Sequence, residues 1–254
     1  MIIGIHGLTE SSKDTVGAAI QYWTSGADKH FTFEQYLSVV HIPHDWKVRK
    51  FAEKLKQIAS LVLNIPLHKF EDQEFKKTTL GEEWRVYYVR LESAINPLEE
   101  STKRVSQYYA SEQEVKNDWF KGWGTVISEF EIASEILTVR KFLQLLGTEA
   151  CRVNIHPNFW INSLMSEYNK DDKWIITDLR FKNEYEALLK RDAILVKVER
   201  PGTVQHNHPS ETELKDVKFE NVIYNNSTLE NLANEVRSFL VKNDILKSKI
   251  LLLD

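Results

Sequence analysis

Met1-Ile2-Ile3-Gly4-Ile5-His6-Gly7-Leu8-Thr9-Glu10-Ser11-Ser12-Lys13-Asp14-Thr15 opens the chain, and its reading decides the fold. The first six residues are a short apolar run closed by Gly7, the pattern of a buried strand entering a turn. Beyond Lys13, Val16, Ala19, Ile20 and Trp23 recur at helical spacing, which predicts a helix from Lys13 to about Trp23. Such a strand, turn and helix can gather backbone N–H groups at a helix N-terminus, where the dipole favours anions. Lys13 adds a mobile cation suited to nucleotide β- and γ-phosphates, and Thr15 a hydroxyl for a magnesium shell.

The match to GxxxxGK[ST] is partial, because Ser12 stands for the second glycine and Asp14 for the Ser or Thr. If that glycine position needs positive φ, a serine there strains the loop by roughly 1–2 kcal/mol. The plainer alternative is a strand-to-helix turn in which Ser11 or Ser12 merely caps the helix. Gly7, Ser11, Ser12, Lys13, Asp14 and Thr15 are the candidate phosphate-loop residues.

Working outward, residues 173–178 and 193–198 are apolar runs on either side of a helical stretch, 183–190. Strand, helix, strand implies parallel pairing. Residues 219–224 read as a last strand and 228–241 as a final helix, with Leu229, Leu232, Val236, Phe239 and Leu240 inward. A helix starting near Phe51 carries Phe51, Leu55, Ile58, Leu61 and Val62 on one face, and another follows Pro157 with Trp160, Ile161, Leu164 and Met165. Ile127 to Leu146 suits one or two helices, with Gly147 placed to end the last. Residues 64–121 read as an irregular, partly helical substrate-side insertion, within which 84–91 is either a strand or a core helix. The sum is an α/β protein with a mostly parallel sheet.

Asp178 closes one of these strands, and the carboxyl ends of parallel strands are where such sheets bind ligands. It is suited to hold Mg²⁺ or its water, while Arg180 offers a bidentate phosphate donor. Taken singly, the pair also fits a helix cap and a surface salt bridge. Arg140, Gln144, Gly147 and Thr148 lie about a helical turn apart, so one face can present cation, amide and hydroxyl; an ordinary amphipathic helix fits them too. Arg200 opens a polar loop containing Gln205, His206 and His208, which reads as a lid; two histidines are a weak zinc signal.

Composition bounds the partners. The chain has 254 residues, 42% of them hydrophobic, and a net charge of −4. With an isoelectric point of about 6.1, it has no bulk positive field to hold a nucleic-acid polymer. A lone cysteine, Cys151, excludes an internal disulfide framework and fits a reducing compartment. No apolar run of about 18 residues suggests a membrane span, and the Ile250 to Leu253 tail is too short for one.

The glycine loop ending Lys13-Asp14-Thr15, the stretch Arg140-Lys141 to Gln144 and Leu146-Gly147-Thr148, Trp160, Asp178-Leu179-Arg180 and Arg200-Pro201-Gly202 together resemble the phage deoxynucleoside monophosphate kinases of the bacteriophage T4 type. More distantly they are similar to animal phosphomevalonate kinases. The resembled family also reads Lys-Asp-Thr in its loop, whereas Ser12 departs from its glycine. The resemblance implies a P-loop NTPase fold of three α/β/α layers with a mostly parallel central sheet. It implies a single kinase domain over residues 1–254, with a helical substrate-binding insertion at about 40–140 and a lid-like loop at about 200–215. It implies transfer from ATP with Mg²⁺, small nucleotide substrates, a host-cytoplasmic location and no membrane, with a homodimer left open. Lys13, Asp14, Thr15 and Arg140 would serve ATP, with Gly7, Ser11, Ser12 and Arg200; Lys141, Gln144, Gly147, Thr148, Trp160, Arg180 and Glu184 would lie at the nucleotide sites. Lys13, Asp178 and Arg180 would be catalytic, and Asp14, Thr15 and Asp178 would serve the metal. The rivals are a kinase for another phosphorylated metabolite and a nucleotide-binding protein with a decayed loop; an aromatic such as Trp160 near the acceptor favours a stacked base.

Overall fold

The computed structural model describes residues 1–39, 42–90, 108–122, 131–203 and 212–247. Gln205, His206 and His208 of the expected lid, the expected helical start at Ile127, and the apolar tail lie outside these. The chain divides into two compact units, one of Met1–Leu55 with Cys151–Asp254 and one of Lys56–Ala150. In chain order the elements are β1 (Ile2–His6), α1 (Lys13–Ser25), α2 (Phe33–Ser38), β2 (Trp46–Arg49), α3 (Glu53–Leu63), β3 (Arg85–Arg90), α4 (Glu112–Gly122), β4 (Glu131–Ile136) and α5 (Val139–Gln144), then α6 (Phe159–Met165), β5 (Lys173–Leu179), α7 (Lys182–Leu189), β6 (Ile194–Glu199), β7 (Asn221–Tyr224) and α8 (Leu229–Lys242). A wide-turn π-helix, Leu145–Val153, follows α5.

In the first unit five strands form a parallel sheet in the order β2-β5-β1-β6-β7. Its middle strand, β1, is buried throughout, which is why the sequence there is apolar rather than alternating. On one face Ile3, Ile5, Ile175 and Val196 pack with Val16, Ala19 and Ile20 of α1 and with Leu232, Val236 and Leu240 of α8. Each such fully buried aliphatic side chain contributes roughly 1.5–3 kcal/mol of transfer free energy. Gly4 faces the other way. A Cβ there would stand 2.6 Å from the Leu195 side chain and 2.8 Å from that of Leu188, so its bareness lets α7 lie close on the sheet. Helices therefore cover both faces, the expected α/β/α layering.

The connection from β1 leads by α1 to β2 on one side, and that from β5 leads by α7 to β6 on the other. Where neighbouring strands part in this way, their carboxyl ends border the crevice in which open α/β sheets bind ligands. The phosphate-loop candidates and Asp178 sit at those two ends.

The second unit is mixed rather than helical throughout. Residues 84–91, open between strand and helix in sequence, contribute β3, which pairs antiparallel with β4 from Arg85↔Ile136 to Arg90↔Glu131. Residues 131–136 are thus a strand where helix was expected. Leu61 and Val62, expected on the inner face of α3, are 83% and 54% exposed; Ala59 is the buried residue of that helix and packs with Phe70 and Val139. Gly147 does not end a helix either, since the π-helix runs through it to Val153. β2 falls within the stretch expected as a helical insertion from about residue 40, yet it is a strand of the central sheet, because it pairs in parallel with β5; α2 had no sequence expectation. Thr32 and Gln35 form a reciprocal cap that starts α2. Cys151 is a buried free thiol whose pKa burial raises. No described helix is long and apolar enough to cross a membrane.

Candidate active site

The loop after β1 is as tight as its glycine suggests. A Cβ on Gly7 would fall 2.4 Å from Ser11 Oγ and 2.9 Å from the Val198 carbonyl oxygen. Glu10 and Ser12 both take positive φ, 64° and 75°. Ser12 therefore occupies the left-handed conformation that the motif reserves for glycine, at a cost of roughly 1–2 kcal/mol. It is the residue before α1 and makes no side-chain cap to it, which removes the bland capping role for Ser12. Ser11 is buried, and its hydroxyl has no hydrogen-bond partner among the described residues. The Lys13 ammonium donates to the carbonyl oxygens of Gly7, at 2.7 Å, and Leu8, at 2.6 Å, so the cation curls back onto the loop itself.

Asp14, in the first turn of α1, ties the loop to β5. Its Oδ1 accepts from the Thr177 hydroxyl at 2.6 Å and lies 3.0 Å from the Lys50 ammonium. Burial works to raise its carboxyl pKa, but Thr177, Lys50 and Lys13 outweigh it and hold the group below the ordinary value. Thr15 is half-buried in the same turn. The Asp14–Thr177 hydrogen bond ties the residue after Lys13 to the residue before Asp178.

Asp178 is engaged by main chain. Its Oδ1 accepts from Phe51 N at 2.8 Å and its Oδ2 from Ala52 N at 3.0 Å, both in the turn that leads into α3. Burial pushes its carboxyl pKa up, against those two amides and the charges of Arg180 and Lys50. Glu184 is also a buried carboxylate. Its Oε2 accepts from Arg180 N at 2.9 Å and Phe181 N at 3.1 Å, capping α7, and its Oε1 accepts from Arg152 at 2.6 Å. Burial drives its pKa to about 7 despite Arg152, with Asp178 adding to the rise. Arg152 in turn lies 4.1 Å above the Phe181 ring. Glu184 thus fixes the backbone from which Arg180 projects, while Arg180 itself is half-buried. Trp160 is 3% exposed and packs edge-on against Phe159, so its surroundings are protein.

On the other side of the loop, Arg200 donates to Glu10 O at 3.0 Å. A cavity of about 450 Å³ opens there, lined by His6, Leu8, Glu199, Arg200, Tyr224 and Asn226 among others. His6 is held in it by Leu179 O, 3.0 Å from Nδ1, and by stacking on Phe219.

In the second unit Arg140 donates to Gln73 at 3.0 Å. Burial works to lower the Lys141 ammonium pKa, but Tyr108, Glu135 and Glu149 raise it, so it stays charged, 5.4 Å over the Tyr108 ring. Arg140 and Gln144 share α5 at the expected i, i+4 spacing, whereas Gly147 and Thr148 belong to the π-helix. Its wider turn breaks the single-face argument made from α-helical spacing.

The family model for deoxynucleotide monophosphate kinases matches residues 1–236. The chain belongs to that family. The deoxynucleoside-5'-monophosphate kinase of Escherichia phage T5 is 27% identical over an alignment of 261 positions that covers 94% of this chain and 95% of the relative. A protein of Acanthamoeba polyphaga mimivirus, provisionally assigned as a deoxynucleotide monophosphate kinase, is 32% identical over 117 residues, covering 40% of this chain and 60% of that one.

For a kinase of this family, the structure adds residues that the sequence did not flag. Lys50 stands at the end of a four-residue edge strand whose period is too short to read, yet it lies against Asp14. Arg152, on the π-helix, pairs with Glu184 across 32 positions. Thr177 looked like part of an apolar run. Asp14, Thr15 and Asp178 carry hard oxygen donors of the kind Mg²⁺ favours, while both Asp178 oxygens are engaged by main-chain amides. Among the described residues no group of three His, Cys, Asp or Glu is placed to hold a metal, so phosphate oxygens would supply much of its shell.

Proposed function

We propose that this kinase transfers the γ-phosphoryl of MgATP, in line, to the α-phosphate of a deoxynucleoside monophosphate. The observation that carries the reading is the Asp14–Thr177 hydrogen bond, 2.6 Å, which joins the left-handed loop bearing Lys13 to the strand end bearing Asp178 and Arg180. Cation, main-chain amides and guanidinium then serve one phosphate-binding crevice.

In this reading the amides of residues 7–13 and the Lys13 ammonium, released from the Gly7 and Leu8 carbonyls, hold the β- and γ-phosphates. The cavity beside Leu8 and Tyr224 takes the donor's base and sugar, with Arg200 at its mouth. Arg180 meets the acceptor phosphate, its backbone fixed by Glu184. Asp178 holds the turn before α3 and, with it, Lys50. By the resemblance, Lys141, Gln144, Gly147 and Thr148 would serve the acceptor nucleotide and Arg140 ATP. Asp14, Thr15 and Asp178 would hold Mg²⁺, which would supply charge neutralisation at the transferred group.

The acceptor is a phosphate oxygen, which is largely ionised at neutral pH because the second phosphate pKa is about 6. It needs no strong general base. A new O–P bond forms to the γ-phosphorus as the bridging oxygen leaves with its electron pair on ADP. Catalysis then rests on positioning and charge stabilisation, where one well-placed donor is worth about 3–4 kcal/mol.

A coupled ADP-release assay with dAMP, dCMP, dGMP, dTMP and a set of small phosphometabolites tests this. ADP release that requires a deoxynucleoside monophosphate is expected. Release driven instead by a phosphometabolite, or ATP binding with no acceptor-dependent release, would overturn it.

A further inference from the structure

We propose that Asn225 is a positioning residue of the phosphate loop, whose carboxamide pins Ser12 in the left-handed conformation that a glycine would adopt unaided. The proposal deepens the kinase reading and rests on it for the identity of the loop's ligand.

Ser12 has φ 75° and ψ 34°, a region that L-residues with a Cβ leave readily for extended or right-handed backbone. Any such departure turns the N–H groups on either side of Ser12 away from a common centre, and an anion cradle works only if they converge. Something must hold this residue in place. Asn225 Nδ2 donates to Ser12 Oγ at 3.0 Å and approaches Ser11 O at 3.4 Å. One contact fixes the side chain of Ser12 and the other the peptide that precedes it, so together they constrain both sides of its φ rotation.

The strap is itself anchored. Asn225 is half-buried, directly follows β7, and donates its own N–H to Glu199 O at 2.8 Å, continuing the parallel β6–β7 pairing. Its neighbours Tyr224 and Asn226 line the 450 Å³ cavity assigned above to the donor's base and sugar. The same turn therefore forms part of the donor cavity and holds the donor's phosphate loop, which predicts an effect on ATP and not on the acceptor.

The test is a double-mutant cycle on the full chain: wild type, Asn225→Ala, Ser12→Gly and the double variant. Each is assayed for equilibrium ATP affinity, for KM of ATP and of a deoxynucleoside monophosphate, and for melting temperature. Asn225→Ala is expected to weaken ATP binding and raise the KM for ATP about tenfold, with the acceptor KM moved less than twofold. Ser12→Gly sets its own reference, and adding Asn225→Ala to it is expected to change ATP affinity by less than twofold, because glycine needs no strap. The cycle would then show about tenfold coupling, or about 1.4 kcal/mol. Equal losses in both backgrounds, or no loss in the first, overturn the proposal. If Asn225→Ala is unfolded at the assay temperature, the double variant decides: folded and binding ATP as Ser12→Gly does, it supports the strap, and unfolded as well, it refutes it. Because ATP affinity is read directly, a wild type lacking acceptor-dependent transfer would sink the kinase reading while the cycle still judged Asn225.

Discussion

Replacing Asp178 by Asn separates two jobs that one carboxylate could do. The side chain accepts from two main-chain amides, Phe51 N at 2.8 Å and Ala52 N at 3.0 Å, one on each oxygen. Asparagine keeps one oxygen and turns an NH₂ towards the other amide, so one charge-assisted hydrogen bond is lost and a donor faces a donor. Hydrogen bonds to charged groups are worth about 1.5–3 kcal/mol, and an unsatisfied buried donor costs about 1–3 kcal/mol. Because burial outweighs the amides and cations in setting the Asp178 pKa, neutralising the group offsets the lost charge-assisted bond, and the cost of the unpaired amide donor is what is left. A net loss of about 1–3 kcal/mol remains, or roughly 2–10 °C in melting temperature for a chain of this size. Urea unfolding followed by circular dichroism at pH 7, alongside calorimetry, measures it. An unchanged or raised urea midpoint would refute the reasoning, because a carboxylate kept only for metal or substrate often leaves the fold no worse, or better, when neutralised.

Glu184→Gln should change how stability depends on pH. Burial raises the folded-state pKa of Glu184 from 4.5 to about 7, so its contribution is fully present below pH 4.5 and is lost as pH rises through 7, by up to about 3 kcal/mol. Wild type should therefore lose stability relative to Glu184→Gln between pH 4.5 and 8, and a pH-independent difference between the two unfolding free energies would contradict this. Gly7→Ala drives a Cβ to 2.9 Å from the fixed Val198 carbonyl oxygen; about 1–3 kcal/mol of stability should go, with ATP affinity falling about tenfold or more. Titration showing unaltered ATP binding would speak against the loop as the phosphate site.

What was legible in the sequence was local. β1, the loop and α1 could be read because an apolar run, a glycine and a 3.6-residue period meet within twenty-odd residues, and β5, α7 and β6 repeat that logic. The left-handed need at Ser12 was readable as a condition, since the motif has glycine there. Its remedy was not, because Asn225 lies 213 positions away. Lys50 and Arg152 escaped for the same reason: their partners come from tertiary packing. β2 escaped because Trp46 is the one buried residue in Trp46–Arg49, too little for a period. Residues 131–136 were misread because Ile136 continues the helical spacing of the α5 residues after it, while the partner that makes them a strand, β3, lies more than forty residues earlier. Leu61 and Val62 follow the helical period of α3, yet packing on that helix is centred on Ala59. Trp160 looked like a stacking platform and proved to be core.

In the proposed mechanism, Lys13 and the loop it closes hold the phosphoryl group during transfer. Single-turnover transfer from γ-labelled ATP to a deoxynucleoside monophosphate, comparing wild type with Lys13→Ala at matched melting temperatures, tests it most directly. The variant's transfer rate is expected to be lower by at least about a hundredfold, the scale of losing one preorganised donor, with the fold intact. A Lys13→Ala protein that transfers phosphate at close to the wild-type rate would contradict it.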